Sequence, residues 1–106
     1  MIRRGRRVAG AAFVVVCAPR KYALADQQIR LGITVSRKVG NAVVRNRVKR
    51  RIREWFRAGR SSLGEGVDLV VIGRAAAASL AYEGFTAELS KLSSAAVRGA
   101  RQAGAA

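Results

Sequence analysis

The chain has 106 residues, a net charge of +15 and no histidine. Half of its residues are apolar, so the composition supports one packed domain with a modest core and excludes a disordered basic tail. A chain this basic repels itself unless a polyanion is near, and we expect nucleic acid as its partner ahead of an acidic membrane or an acidic protein. A single cysteine, Cys17, excludes a disulfide framework and a cysteine metal cluster.

The first part of the chain predicts a basic arm followed by a strand. Residues 1 to 10 are rich in arginine and contain no acid, which indicates an arm that is disordered alone or docked on a partner. Residues 11 to 17 are apolar and largely β-branched, as in a strand with both faces covered, and Pro19 ends this run. Residues 20 to 28 are mostly polar and are expected to form a hairpin-like connection.

Residues 30 to 36 alternate between apolar and small or polar side chains, which predicts a half-buried strand. Gly32, Thr34 and Ser36 would leave one of its faces without bulky side chains, as suits a shallow groove. Gly40 then turns the chain into a helix for which Asn41 is the expected N-cap.

This helix is expected to run from residue 41 to residue 57 or 58, with Gly59 as its C-terminal stop. Its core-facing stripe recurs at helical spacing and consists of Val44, Val48, Ile52, Trp55 and Phe56. The rest of the segment is cationic, since nine of the 21 residues from Arg37 to Arg57 are Lys or Arg and only Glu54 is acidic.

The second half of the chain predicts one more strand and a closing helix. Residues 61 to 66 read as a flexible connection, residues 67 to 73 as a buried strand, and residues 75 to 78 as a loop or a helical turn. Residues 82 to 97 follow helical spacing, and residues 99 to 106 are expected to be a flexible tail. The order β-β-α-β-α indicates a single α+β domain, a small mixed sheet packed with helices, with a parallel strand pair around the basic helix.

Arg45, Lys49 and Arg53 are spaced four residues apart, so they form a cationic ridge along the basic helix. Arg predominates, and its planar guanidinium makes bidentate contacts with phosphate. A solvated charged face and a helix lying on a membrane are the alternatives, and the pattern does not choose RNA over DNA. The longest apolar run, residues 11 to 18, is too short to span a bilayer and no secretory cleavage pattern follows it, so we expect a cytoplasmic protein.

The segment from Leu31 to Arg53 closely resembles the protein subunit of bacterial ribonuclease P, and the resemblance extends over most of the chain, from about Arg6 to Val97. The most specific part of it is the block K-x-G-N-A-V-x-R-N-R-x-K-R-x-x-R. This block is matched by Lys38, Gly40, Asn41, Ala42, Val43, Arg45, Asn46, Arg47, Lys49, Arg50 and Arg53. For the fold, the resemblance implies a ribosomal-protein-like α+β domain with a left-handed crossover around the basic helix, against the usual right-handed rule.

For function, the resemblance implies an endoribonuclease that removes the 5′ leader from precursor tRNA. The RNA subunit carries the chemistry and binds most of the Mg²⁺, and the protein contributes no catalytic residue and holds no metal alone. The implied partners are the catalytic RNA and precursor tRNA, with no membrane and no obligate protein partner. Arg45, Asn46, Lys49 and Arg53 would face a groove for the single-stranded leader, and Asn41, at the entry of the helix, would be a further RNA-binding residue. Contacts to the catalytic RNA would come from Arg37, Lys38, Arg47, Arg50 and Arg51.

Phe13 and Tyr22 are candidates for stacking on leader bases, although a core position for Phe13 and a loop cap for Tyr22 are equally open. Two departures from the family stand out: relatives begin with a helix that closes one side of the groove, whereas Met1 lies almost on the basic arm, and Val16 stands where relatives often have an aromatic. We therefore expect either a start upstream of Met1 or a groove that lacks one wall. The rival hypothesis is a ribosomal or general RNA-binding protein with no processing role.

Overall fold

The computed structural model describes residues 6–19, 29–63 and 66–105, and these form a four-stranded mixed sheet with two long helices. The strands are β1 (Arg6–Ala9), β2 (Phe13–Pro19), β3 (Arg30–Val35) and β4 (Val67–Gly73), and the helices are α1 (Ala42–Leu63) and α2 (Tyr82–Ala105). Two short 3-10 turns precede the helices, at Arg37–Val39 and Ala75–Ala78.

The strand order in the sheet is β1-β2-β4-β3. β2 pairs antiparallel with β1 and β4, whereas β3 pairs parallel with β4. The parallel pair confirms the predicted crossover through α1, because parallel neighbours require a long connection; its left-handed sense stays a prediction. β4 lies between β2 and β3, so the expected hairpin-like connection of these two strands is wrong, and residues 20 to 28 themselves lie outside the described residues.

Both helices pack on the same face of the sheet. Residues paired in neighbouring strands point to the same side, and Phe13 pairs with Gly73 just as Val15 pairs with Val71. Phe13 meets Phe85 of α2 edge-on, with 4.9 Å between ring centroids, and Gly73 lies beneath Val48 of α1. The buried core therefore lies between this face and the two helices.

Three boundaries differ from the sequence predictions. Arg6–Ala9 is a strand rather than part of a disordered arm, because it pairs with β2 along the sheet edge. α1 continues through Gly59 to Leu63, whose side chain is buried. α2 continues to Ala105, beyond its predicted end at residue 97, and Ala100 is fully buried. The flexibility of the tail from residue 99 stays a prediction. In each case a tertiary contact outweighs a local signal.

A candidate nucleic-acid interface

The entry to α1 is held by local hydrogen bonds. Ser36 caps the first 3-10 turn, where its Oγ accepts a hydrogen bond from the backbone N–H of Lys38 at 3.2 Å. Asn41 Oδ1 accepts from the N–H of Val44 at 3.0 Å, which confirms the predicted N-cap. The cationic segment therefore begins on a defined backbone rather than on a loose loop.

Gly40 joins the 3-10 turn to α1 with φ +152° and ψ −164°, a conformation that is almost confined to glycine. A Cβ at this position would lie 3.0 Å from the Cβ and the Cγ1 of Val44. Because the backbone at Gly40 lies this close to Val44, the preceding Arg37 and Lys38 stay close to the first turn of α1.

The predicted cations lie on two flanks of α1. At about 100° per residue, Arg45, Lys49 and Arg53 follow one flank, and Asn46 lies beside them, away from the core. Arg47 and Arg51 follow the opposite flank, with Arg50 on the exposed surface between. The predicted site is thus divided into two separate cationic surfaces, each built from residues one helical turn apart.

The flank with Arg51 faces α2. Its guanidinium carbon lies 6.0 Å from the centroid of the Phe85 ring, at the outer limit for a cation–π contact. On the same side, Trp55 Nε1 donates a hydrogen bond to Ser90 Oγ at 2.9 Å. The flank with Lys49 is turned away from α2 and overhangs β3, which α1 contacts at the edge of the sheet.

The cations of α1 from Arg45 to Arg57 form no ion pair with a carboxylate of the described residues. Asp68 is bridged by Arg30, with 3.1 Å between Nε and Oδ1. Glu88 accepts hydrogen bonds from the backbone N–H groups of Ala12 and Phe13, at 2.8 and 3.0 Å. The cations are therefore left for an external anion, and Arg45 Nε is buried without any hydrogen-bond partner in the described residues.

The face of the sheet opposite the helices is the second part of the site. Val16, Val70 and Ile72 are half-buried there, beside the exposed Gly32 and Thr34 of β3. No helix of the described ranges packs on this face, because α1 and α2 both lie on the other side. The predicted floor of small residues is therefore confirmed for Gly32 and Thr34.

Phe13 is the stacking candidate that the structure corrects. Its side chain is 0% exposed and its ring packs against Phe85 in the core, so neither ring face is free for a base and the core alternative is confirmed. Continuous apolar sequence around it could not show which face it takes. Tyr22 lies outside the described residues.

The described side chains give no sign of a membrane span or a metal site. None of the described helices combines the length and the apolar character needed to cross a bilayer. The same residues contain no group of three or more His, Cys, Asp or Glu side chains able to hold a metal ion.

Comparisons with known proteins agree with this architecture. A family model described as Ribonuclease P matches residues 1–97. The ribonuclease P protein component of Desulfatibacillum aliphaticivorans is 47% identical over 73 residues, which cover 69% of this chain and 58% of that protein. The corresponding protein of Desulfovibrio desulfuricans is 46% identical over 88 residues, which cover 81% of this chain and 66% of that protein.

Among solved structures, the RNase P protein from Thermotoga maritima matches with a TM-score of 0.74 at 31% identity, over 85% of this chain and 82% of that one. The chain thus shares its mixed α+β fold with RNase P proteins, while it spans 58% and 66% of the two relatives' lengths. With the family model matched over residues 1–97, we conclude that the chain belongs to the ribonuclease P protein family.

Proposed function

We propose that this chain is the protein subunit of ribonuclease P. It binds the catalytic RNA and the 5′ leader of precursor tRNA, and it assists the endonucleolytic removal of that leader. The observation that carries the proposal is the set of cations on α1, which meet no carboxylate in the described residues and stand on the fold of the RNase P proteins. General RNA binding without a role in processing remains the rival.

The leader is proposed to follow the ridge of Arg45, Lys49 and Arg53 and to continue across the edge strand β3 onto the open face of the sheet. The ridge lies on the flank of α1 that overhangs β3, and the small side chains of Gly32 and Thr34 leave room beside it. Neutralising leader phosphates here would release counterions. Asn46 lies next to the ridge as a further hydrogen-bonding group for the leader.

The catalytic RNA is proposed to bind the other cations. These are the exposed Arg37 and Lys38 of the 3-10 turn, together with Arg47, Arg50 and Arg51 of α1. Asn41, which caps α1 between the 3-10 turn and the helix, is proposed as a further RNA-binding residue. Mg²⁺ is proposed to be held mainly by the RNA, as the resemblance to the family implies. The protein then positions the substrate and lowers the repulsion between two RNAs.

The leader assignment is tested with Arg45→Ala and Lys49→Ala, measured for binding of precursor and mature tRNA to the reconstituted complex at fixed salt. We expect each substitution to weaken binding of the precursor more than of the mature tRNA, and to reduce the salt dependence of precursor binding by about one phosphate contact.

Arg50→Ala is the matched control, because Arg50 is an exposed cation of the same helix on the surface turned away from β3. Its substitution should weaken binding of both tRNAs equally, through the catalytic RNA. Equal losses for both tRNAs with all three variants would refute the leader assignment.

A further inference from the structure

Two large apolar side chains are exposed in the described part of the chain: Val43 at 75% and Tyr82 at 50%. Each lies at the beginning of a helix, Val43 in the first turn of α1 and Tyr82 as the first residue of α2. Isolated exposed apolar residues are common on protein surfaces, so the question is whether these two belong to one surface.

The packing of the helices places them at the same end of the molecule. Arg51 of α1 lies over the Phe85 ring, and Trp55, four residues later, donates a hydrogen bond to Ser90, five residues after Phe85. The two helices therefore run side by side in the same direction, and at about 1.5 Å per residue α1 extends roughly 8 Å further than α2 at this end.

A stripe of α1 that begins at Val43 turns toward α2 along the helix. Val43, Arg47 and Arg51 are spaced four residues apart, and each step turns the flank by roughly 40° toward α2. Arg51 reaches Phe85, which is one helical turn beyond Tyr82. One turn earlier along both helices, Arg47 lies at the level of Tyr82, and we call these four residues the Tyr82 surface.

The charge of this surface favours a polyanion. Neither Arg47 nor Arg51 forms an ion pair with a carboxylate of the described residues, although Glu83 follows Tyr82 in the chain and Glu54 lies further along α1. Tyr82 is an exposed ring one helical turn from Phe85, over which the Arg51 guanidinium lies. An exposed ring with cations on the facing helix provides what unpaired RNA uses: a face on which a base stacks and charges for the adjoining phosphates.

We propose that Tyr82 stacks on an unpaired base of the catalytic RNA while Arg47 and Arg51 bind the flanking phosphates. The inference rests on the proposed function and adds a contact outside the basic block of α1. The catalytic RNA is favoured over the leader because Arg47 and Lys49, two residues apart, lie roughly 160° apart around α1. A leader seated on the Lys49 flank runs along the opposite side of the helix.

The test uses the full chain and its catalytic RNA transcribed in vitro, with dissociation constants measured at fixed salt. We expect Tyr82→Ala to weaken binding by roughly fivefold to tenfold, the lower part of the range for base stacking, and Tyr82→Phe to keep the affinity of the unsubstituted chain. Ser94→Ala, an exposed position on α2 twelve residues after Tyr82, is the control. Circular dichroism and Tm establish that each variant is folded.

Each other result overturns the inference. Unchanged affinity with Tyr82→Ala removes the contact, and equal losses with Tyr82→Ala and Tyr82→Phe replace stacking by a role of the hydroxyl group. A loss confined to the preference for precursor over mature tRNA assigns Tyr82 to the leader. If the unsubstituted chain fails to bind the catalytic RNA, the proposed function itself fails, which the Tyr82 variants alone would not show.

Discussion

Replacement of Gly40 by alanine should loosen the start of the cationic helix. Gly40 has φ +152° and ψ −164°, and placing a residue with a Cβ there costs about 1–3 kcal/mol in backbone strain. The new Cβ would also lie 3.0 Å from Val44 Cβ, which is fixed to the helix backbone, so the first turn of α1 must shift. A crowded contact of this kind adds about 1–3 kcal/mol.

We therefore expect Gly40→Ala to lower the free energy of unfolding by ~3 kcal/mol, and Tm by roughly 10–20 °C for a domain of this size. Urea and thermal unfolding followed by circular dichroism measure both quantities. RNA affinity should fall as well, because Arg37 and Lys38 lose their position relative to α1.

Gly59→Ala is the matched control, since Gly59 lies inside α1 with nothing within 4 Å of the added Cβ. It should stabilise the protein by about 0.5–1 kcal/mol through helix propensity. The double variant Gly40→Ala/Val44→Ala, compared with Val44→Ala alone, separates the crowding by the two Cγ atoms of Val44 from the backbone strain and the contact with Val44 Cβ, which alanine keeps. A Gly40→Ala protein as stable as the unsubstituted chain would refute the reasoning.

Two further substitutions test the local structure. Asn41→Ala should lower the free energy of unfolding by about 1 kcal/mol, because the cap on α1 is lost. Asn41→Asp keeps a capping oxygen but adds a negative charge, so denaturant unfolding should show retained stability and RNA titration should show weaker binding. Equal stability of the two variants would contradict the capping role. Phe13→Ala should lower the free energy of unfolding by about 3–5 kcal/mol, measured by denaturant unfolding. A variant that stays stable but selectively loses binding of precursor tRNA would instead assign Phe13 to the leader groove.

The sequence was sufficient to predict that α1 exists and where it begins, because the signals for both are local. Asn41 is a good N-cap wherever the following residues are helical, and the apolar stripe with Val48 and Ile52 needs only a nearby sheet. The end of α1 was predicted wrongly at Gly59, since glycine weakens a helix by only about 1 kcal/mol and burial of Leu63 offsets that cost.

Features that depend on distant residues could not be predicted. β1 has no apolar alternation of its own and forms because β2 offers it a partner. The burial of Phe13 depends on Phe85, 72 residues along the chain. Helical spacing alone predicts that the cations fall on two flanks of α1. Only the contacts of Arg51 and Trp55 show which of these flanks faces α2.

The most direct test of the proposed function is cleavage of precursor tRNA by the catalytic RNA at low Mg²⁺, with and without this chain. The proposal predicts that the protein raises kcat/KM for the precursor, and that Arg45→Ala/Lys49→Ala, still folded and still bound to the catalytic RNA, loses most of that stimulation. A chain that binds the catalytic RNA and leaves cleavage unchanged would contradict the proposal and identify a general RNA-binding protein.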